Sequence, residues 1–219
     1  KKRPFALAAL SLAVLLSLSA FPANAAPTED GAGGAEAEDI TQGCRLSASE
    51  NADSLPNLKD RTVTTVWKAS AGSTLTITSE EPIAGLYLSW DRDAAEWSLS
   101  AQEDGRALPL TDGGDDGFLH EYVPLTEKAY SLTLTLKEDA VLTDVSVLSP
   151  GRLPSWVQTW EPMLEKADML VYSTHADDEL LWFGGTLPTY AGEYKLKVQV
   201  AYLIYHGAAR GEYFRCHEL

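Results

Sequence analysis

Basic residues and cysteines are scarce in this 219-residue sequence. It has 17 lysines and arginines against 32 aspartates and glutamates, which gives a formal net charge of −15. Because so acidic a chain without a basic patch is repelled by phosphate backbones, we exclude nucleic acid as a partner. The two cysteines, Cys44 and Cys216, are too few for a disulfide scaffold or a thiolate zinc site. They fall in segments that we assign to different domains, so we predict no disulfide.

Long apolar runs are also missing, apart from one near the N-terminus. Residues 5–21 are rich in leucine and alanine, they follow the basic residues 1–3, and Ala23-Asn24-Ala25 forms an A-x-A cleavage site. This order is typical of a secretory signal peptide, and the run is too short for a stable membrane span. We predict a signal peptide over residues 1–25 and a secreted or cell-surface location. An uncleaved N-terminal anchor is the alternative.

Residues 26–42 contain one large apolar residue, Ile40, among glycine, alanine, glutamate and aspartate. Such a segment buries too little apolar surface to offset the entropy that is lost on ordering, so we predict a flexible linker.

Residues 43–149 alternate between apolar and polar side chains, most clearly from Thr74 to Thr78. Loop signals, of which Asp112 to Gly117 is the clearest, separate the alternating segments. We place the starts of eight strands near residues 62, 73, 84, 96, 106, 118, 130 and 141. Short strands at such regular spacing predict an all-β sandwich or jelly roll.

The stretch KDRTVTTVW, with Asp60, Thr65 and Trp67, resembles the region of the first core strand in discoidin-type, galactose-binding-like sandwiches. The resemblance implies a carbohydrate-binding or packing module, with a cell-surface glycan as its partner, and names no site residue.

Two sets of side chains in this domain have alternative interpretations. One set forms either the core or a sugar platform, and we favour the core: Trp67, Trp90 and Trp97. The other forms either a solvated acidic loop or a calcium site, and we favour the loop: Asp112, Asp115 and Asp116.

Residues 150–165 join this domain to the last one. Three prolines limit their flexibility, and Trp156 and Trp160 lie four residues apart, on one face if this stretch is helical. We expect both tryptophans to pack between the domains.

The segment 166–219 places an imidazole and three carboxylates after a buried strand. Met169 to Ser173 predicts that strand, and the side chains follow as a helical pattern begins: His175, Asp177, Asp178 and Glu179. Ligands of open α/β sheets bind at the carboxyl ends of strands, and imidazole with carboxylate suits zinc. Acidic residues at a helix start also complement the helix dipole, which is the plainer interpretation.

A helical pattern over residues 179–191 and an apolar strand over 196–204 complete a strand–helix–strand unit, which predicts a parallel sheet. Gly184 and Gly185 lie inside the helix, where each costs about 1 kcal/mol relative to alanine, so we expect a close approach there. The unit is shorter than a complete doubly wound domain of about 100 residues, and we expect this Rossmann-like α/β domain to be incomplete.

The pentapeptide His175 to Glu179, the diglycine, the second strand and the pair Arg215 and Glu218 resemble, in this order, the PIG-L (LmbE-like) deacetylases. The likeness covers residues 167–219. It departs from the family at Ala176, where the family has proline. It implies one zinc ion and hydrolysis of the acetamide of an N-acetylglucosamine-type sugar or glycoconjugate.

The resemblance also implies a role for each matching residue. His175 and Asp178 bind zinc, and Asp177 is the general base. Arg215 binds substrate, with an ion pair to Glu218 as the structural alternative, and Glu179 orients the loop or a ligand. The family's third zinc ligand is a histidine further downstream, so we expect these 219 residues to bind metal weakly and to be inactive by themselves.

Two other functions remain open. One is a non-catalytic secreted carbohydrate-binding protein or adhesin. The other is a metal-dependent phosphoesterase, although such sites often hold two metals and need more carboxylates and histidines than this sequence offers.

Overall fold

The computed structural model describes residues 34–103, 105–159, 164–175 and 177–203. Seven strands pair in antiparallel fashion, and two further strands form a separate parallel pair. The strands are β1 (Arg45–Ala48), β2 (Trp67–Ala69), β3 (Thr74–Trp90), β4 (Trp97–Glu103), β5 (Arg106–Gly113), β6 (His120–Leu136), β7 (Ala140–Leu148), β8 (Met169–Ser173) and β9 (Val198–Tyr202). Short 3₁₀ segments cover Thr41–Gly43 and Ala52–Lys59.

The long strands β3 and β6 pair along both of their halves. Residues 74–78 of β3 pair with β6 beside β1, and residues 85–89 pair with β6 beside β7. β4 and β5 extend the first half, and β2 extends the second. Register shifts between Thr78 and Gly85 separate the halves. One buried cluster contains side chains from both, including Leu75 and Leu86, so the halves enclose a common core as a β-sandwich.

The three tryptophans for which we weighed a sugar platform all lie in this core. Trp67 and Trp90 are fully buried, and Trp97 is 1% exposed. The structure therefore confirms the core interpretation. Buried rings of this size contribute a large share of the apolar surface that folding removes from water.

The predicted all-β sandwich is confirmed, but its strands differ from the predicted eight. The strands expected near residues 73 and 84 form the single strand β3, and those near 118 and 130 form β6. Turn signals such as Pro82 and Pro124 mark irregular pairing, since hydrogen bonding resumes at Ile83 and again at Gly85. A first strand, β1, was not predicted.

The predicted flexible linker also differs from the structure over residues 34–42. Ala37 donates a backbone hydrogen bond to Arg152 at 2.8 Å, and Ile40 donates one to Val147 at 2.9 Å. The side chains of Ala37 and Ile40 are buried, and this contact with the sandwich offsets the cost of ordering the segment. The predicted signal peptide and residues 26–33 lie outside the described residues.

The parallel strands β8 and β9 pair from Met169 with Val198 to Ser173 with Tyr202. The helix predicted over residues 179–191 is broken into α1 (Asp178–Leu181), a turn and a π-helical segment, Pro188–Glu193. A side chain at Gly184 would lie 2.5 Å from the carbonyl oxygen of Leu180, so the expected close approach exists there, whereas Gly185 faces open space. Within the described part of the chain, no helix is long and apolar enough to cross a membrane.

Candidate functional site

The predicted zinc ligands lie at the carboxyl ends of β8 and β9. Asp178 Oδ2 accepts backbone hydrogen bonds from Thr174 and His175, both at 2.9 Å. Asp178 Oδ1 accepts a hydrogen bond from the indole nitrogen of Trp182 at 3.1 Å. The backbone N–H of His175 is the largest influence that lowers the pKa of Asp178, so this carboxylate stays charged at neutral pH.

His175 and Asp178 are close enough to share one metal ion. His175 Nδ1 lies 3.6 Å from Asp178 Oδ2. The pair suits zinc in ligand type and lies close together. Because Oδ2 already accepts two backbone N–H groups, an ion would bind Asp178 through Oδ1. Among the described residues, no three histidine, cysteine, aspartate or glutamate side chains converge on one point. A catalytic zinc normally takes three protein ligands, so the pair supplies part of a site.

Asp177 and Glu179 flank Asp178 in the sequence. The backbone carbonyl of Asp177 accepts hydrogen bonds from Leu180 and Leu181, and its side chain caps no helix N–H. Glu179 lies near Tyr202 of β9: burial first, and then this carboxylate, raises the pKa of Tyr202 to about 12. Glu179 Oε2 and Ser173 Oγ are buried with no hydrogen-bond partner among the described residues. Ala176 and Arg215 lie outside those residues, and the substrate role of Arg215 stays a prediction.

A second candidate site is an aromatic group on the sandwich, which we name the aromatic shelf: Tyr87, His120, Tyr122 and Trp156. Tyr87 and His120 stack with their ring centroids 5.9 Å apart and their planes at 19°. Trp156 meets Tyr87 edge-on at 5.7 Å. Tyr87 is 7% exposed, whereas 47% of Trp156 faces solvent. The shelf therefore presents the exposed indole of Trp156, which packs against the buried ring of Tyr87.

Strand register explains why these rings meet. On the sandwich face opposite the core, Tyr87 pairs with Tyr122, and the next outward pair is Ser89 with His120. Gly85 leaves room for the Tyr122 ring, since a side chain there would lie 2.8 Å from it. Ser89 Oγ is 3.4 Å from His120 Nδ1, which adds a hydrogen-bonding pair beside the rings.

The same face carries a buried carboxylate on β7, that of Asp144, which pairs with the exposed Arg61. Asp144 accepts hydrogen bonds from the backbone and the guanidinium of Arg61, at 2.8 and 3.1 Å. Arg61 also contacts Ser146 and Asp39. Burial of Asp144 outweighs the attraction of Arg61 and raises the pKa of this carboxyl to about 6. Arg61 therefore joins the N-terminal segment to β7.

The sequence did not lead us to predict the aromatic shelf. We expected Trp156 to be buried between domains, and the structure instead leaves about half of it exposed against Tyr87. His120 shows no motif, although its position opposite Ser89 follows from the alternation once the strands are paired. Trp160 lies outside the described residues.

The acidic stretch at residues 112–117, for which we favoured a solvated loop, makes surface contacts. Asp112 lies near the end of β5 and forms an ion pair with Lys137 at 2.9 Å. In the loop that follows, Asp116 accepts the backbone N–H of Phe118 at 3.2 Å.

The comparisons with known proteins concern the sandwich. No family model matches the sequence, and no curated protein matches it either. The carbohydrate-binding module of family 32 from AlyQ, in complex with 4,5-unsaturated mannuronic acid, is 18% identical over 47% of this chain and 92% of its own, with a TM-score of 0.42. A family 32 module of a Clostridium perfringens glycoside hydrolase is 12% identical over 52% and 100%, with a TM-score of 0.46. The family 32 module of C. perfringens NanJ, in complex with galactose, is 14% identical over 52% and 99%, with a TM-score of 0.44.

Proposed function

We propose that this chain recognises carbohydrate, and that the sandwich binds it on the aromatic shelf. The observation that carries the proposal is Trp156, a large aromatic side chain that is 47% exposed and held against Tyr87. An indole ring offers a flat apolar face to the C–H groups of a sugar ring, and burial of that face on binding is favourable.

Stacking on an indole ring does not fix the orientation of a sugar, and polar groups beside the shelf supply that orientation. Sugar hydroxyls both donate and accept hydrogen bonds, and the pair Ser89 and His120 offers partners of both kinds. A binding site of this kind combines an apolar surface with a few fixed polar groups. Because the buried Tyr87 already holds Trp156 in place, less side-chain entropy is lost when a sugar binds.

A glycan-binding experiment tests this proposal. Affinity electrophoresis and tryptophan fluorescence should detect binding to a panel that includes galactose, mannuronate and N-acetylglucosamine oligomers. Trp156→Ala should weaken binding at least tenfold. Tyr130→Ala is the matched control, because Tyr130 is a 56% exposed aromatic residue of β6 outside the shelf, and it should bind like the unmodified chain. Equal loss in both variants, or no binding to any glycan, would contradict the proposal.

We further propose that the complete gene product is a zinc-dependent N-deacetylase for an N-acetylated amino sugar. The observation that favours it is the convergence of His175 and Asp178 to 3.6 Å at a strand end, within the H-A-D-D-E motif. Zinc bound there would lower the pKa of its water and polarise the acetamide carbonyl. His175 and Asp178 would hold the ion, Asp177 would accept a proton from the attacking water, and Arg215 would hold the sugar.

Two substitutions separate the roles of the neighbouring aspartates. Asp178→Ala should lower zinc content and acetate release together, because it removes a ligand. Asp177→Asn should keep zinc and lose acetate release by about 10²–10⁴-fold, because it removes the base. The measurement is metal content beside acetate release from N-acetylglucosamine oligomers.

The outcomes also separate this proposal from a purely binding function. Near-normal turnover of Asp177→Asn would remove the base assignment. A complete gene product that binds glycan but neither holds zinc nor releases acetate would be a non-catalytic carbohydrate-binding protein.

A further inference from the structure

Trp182 combines two properties that no motif explains. Its side chain is 74% exposed, so it does not belong to a core. Its indole nitrogen nevertheless donates a hydrogen bond to Asp178 Oδ1 at 3.1 Å, and its backbone N–H donates to the carbonyl oxygen of Asp178 at 2.8 Å. One exposed residue thus contacts the predicted zinc ligand through both its backbone and its side chain.

Three N–H donors contact the Asp178 carboxylate, and they come from two different parts of the site. The backbone N–H groups of Thr174 and His175 both bind Oδ2, and Trp182 binds Oδ1. Each carboxylate oxygen offers two lone pairs. Oδ2 is therefore used fully by the loop after β8, whereas Oδ1 has room for one more partner beside the indole N–H.

We propose that Trp182 is a positioning residue that fixes the Asp178 carboxylate for metal binding. The inference rests on the zinc site proposed above. With Oδ2 held by the loop and Oδ1 by the indole, the plane of the carboxylate is set before an ion arrives. A ligand that is already oriented loses less conformational freedom on binding, and partners that orient metal ligands typically contribute 10–100-fold to metal affinity.

Three variants of the complete gene product test this role by zinc affinity, measured in competition with a chromophoric chelator. Trp182→Phe keeps an aromatic ring and removes the N–H, and it should weaken zinc binding by about 10–100-fold. Trp182→Gln restores an N–H donor and should recover part of the loss. Tyr194→Phe is the control, because it removes one donor from a 64% exposed ring in the same unit, and it should bind zinc like the unmodified protein.

A metal-free measurement tests the hydrogen bond itself. The indole N–H resonance of Trp182 in a ¹⁵N–¹H spectrum, assigned by its loss in Trp182→Phe, should shift in Asp178→Ala and stay unchanged in Tyr194→Phe. The inference would be overturned if Trp182→Phe bound zinc as tightly as the unmodified protein, or if Asp178→Ala left the indole resonance unshifted. Either result would leave the proposed zinc site itself standing. Absence of zinc binding by the unmodified protein would instead remove the proposed deacetylase function.

Discussion

At the scale of single residues, Asp144 stands out because its environment favours the neutral form. It is 7% exposed, and burial raises its pKa from 3.8 to about 6 although Arg61 donates to both of its oxygens. The neighbouring Asp60 adds a repulsive charge, and the backbone N–H of Val145 partly compensates. The folded protein therefore binds a proton here more tightly than the unfolded chain does.

This difference predicts a pH dependence of stability. The contribution of a protonated Asp144 is fully present below pH 3.8 and is lost as the pH rises through about 6. The loss should amount to at most about 3 kcal/mol, since a tenfold change in proton affinity is worth about 1.4 kcal/mol. Asp144→Asn should remove this component. Urea unfolding from pH 4 to 7 measures it, and identical pH slopes for both proteins would show that Asp144 does not titrate differently on folding.

Several residue roles could be predicted from the sequence, and others could not. The buried tryptophans follow from alternation, and the closeness of His175 to Asp178 follows from a turn between strand and helix. The roles of Trp156 and Trp182 depend on which of their atoms remain exposed. That exposure is decided by packing between distant segments or by side-chain orientation, which periodicity does not encode.

At the scale of elements, the loop between β5 and β6 is held by a partly buried acid, Glu121. Glu121 accepts hydrogen bonds from the indole of Trp97 at 2.8 Å and from the backbone of Gly114 at 3.1 Å, and burial raises its pKa. Gly114 has φ +84, and a side chain there would lie 2.0 Å from the carbonyl oxygen of Ala95. The loop can approach Glu121 only with glycine at this position.

A matched pair of glycines separates backbone strain from this close approach. Gly72 also has φ +84, but a side chain there would meet nothing within 4 Å. Gly72→Ala should cost about 1–2 kcal/mol for its left-handed backbone alone. Gly114→Ala should cost clearly more, because the loop must also move away from Ala95. Chemical denaturation of both variants tests this, and equal costs would mean that the loop adapts without loss.

The strand pattern was predictable because burial imposes a period of two, and β4, β5 and β7 begin within one residue of the predicted positions. The continuity of β3 and β6 was not predictable, since proline and charged residues interrupt both patterns. An irregular pairing keeps the partner strands together where sequence alone indicates a turn.

At the scale of the whole molecule, the sandwich extends beyond its predicted limits. Residues 34–42 bury Ala37 and Ile40, and the segment after β7 buries Val157 beside Tyr87. A polypeptide of residues 34–159 should therefore be more stable than one of residues 43–149 by at least about 2 kcal/mol, the typical value for burial of one large aliphatic side chain.

Circular dichroism and urea unfolding of the two polypeptides test this boundary. Both should give β-rich spectra, since all of the core cluster except Ile40 lies within the shorter one. Equal midpoints would show that the flanking segments add no stability. A helical or disordered spectrum of the longer polypeptide would contradict the sandwich itself.

The parallel pair β8 and β9 is the sheet of the predicted α/β domain that the structure describes. Parallel sheets are normally covered on both faces, yet Leu170 and Tyr172 of β8 are 46% and 59% exposed. The strand–helix–strand unit follows from the sequence, whereas the α/β domain around it stays a prediction.

The bridges from Glu36 to Arg152 and from Asp39 to Leu148 bring the two ends of the sandwich side by side. A domain that the chain enters and leaves at one point can be inserted into, or removed from, a longer polypeptide without moving what lies on either side. The sandwich can therefore be exchanged as a unit. Replacing it with a different sandwich whose ends are equally close should leave the fold of the neighbouring domain unchanged.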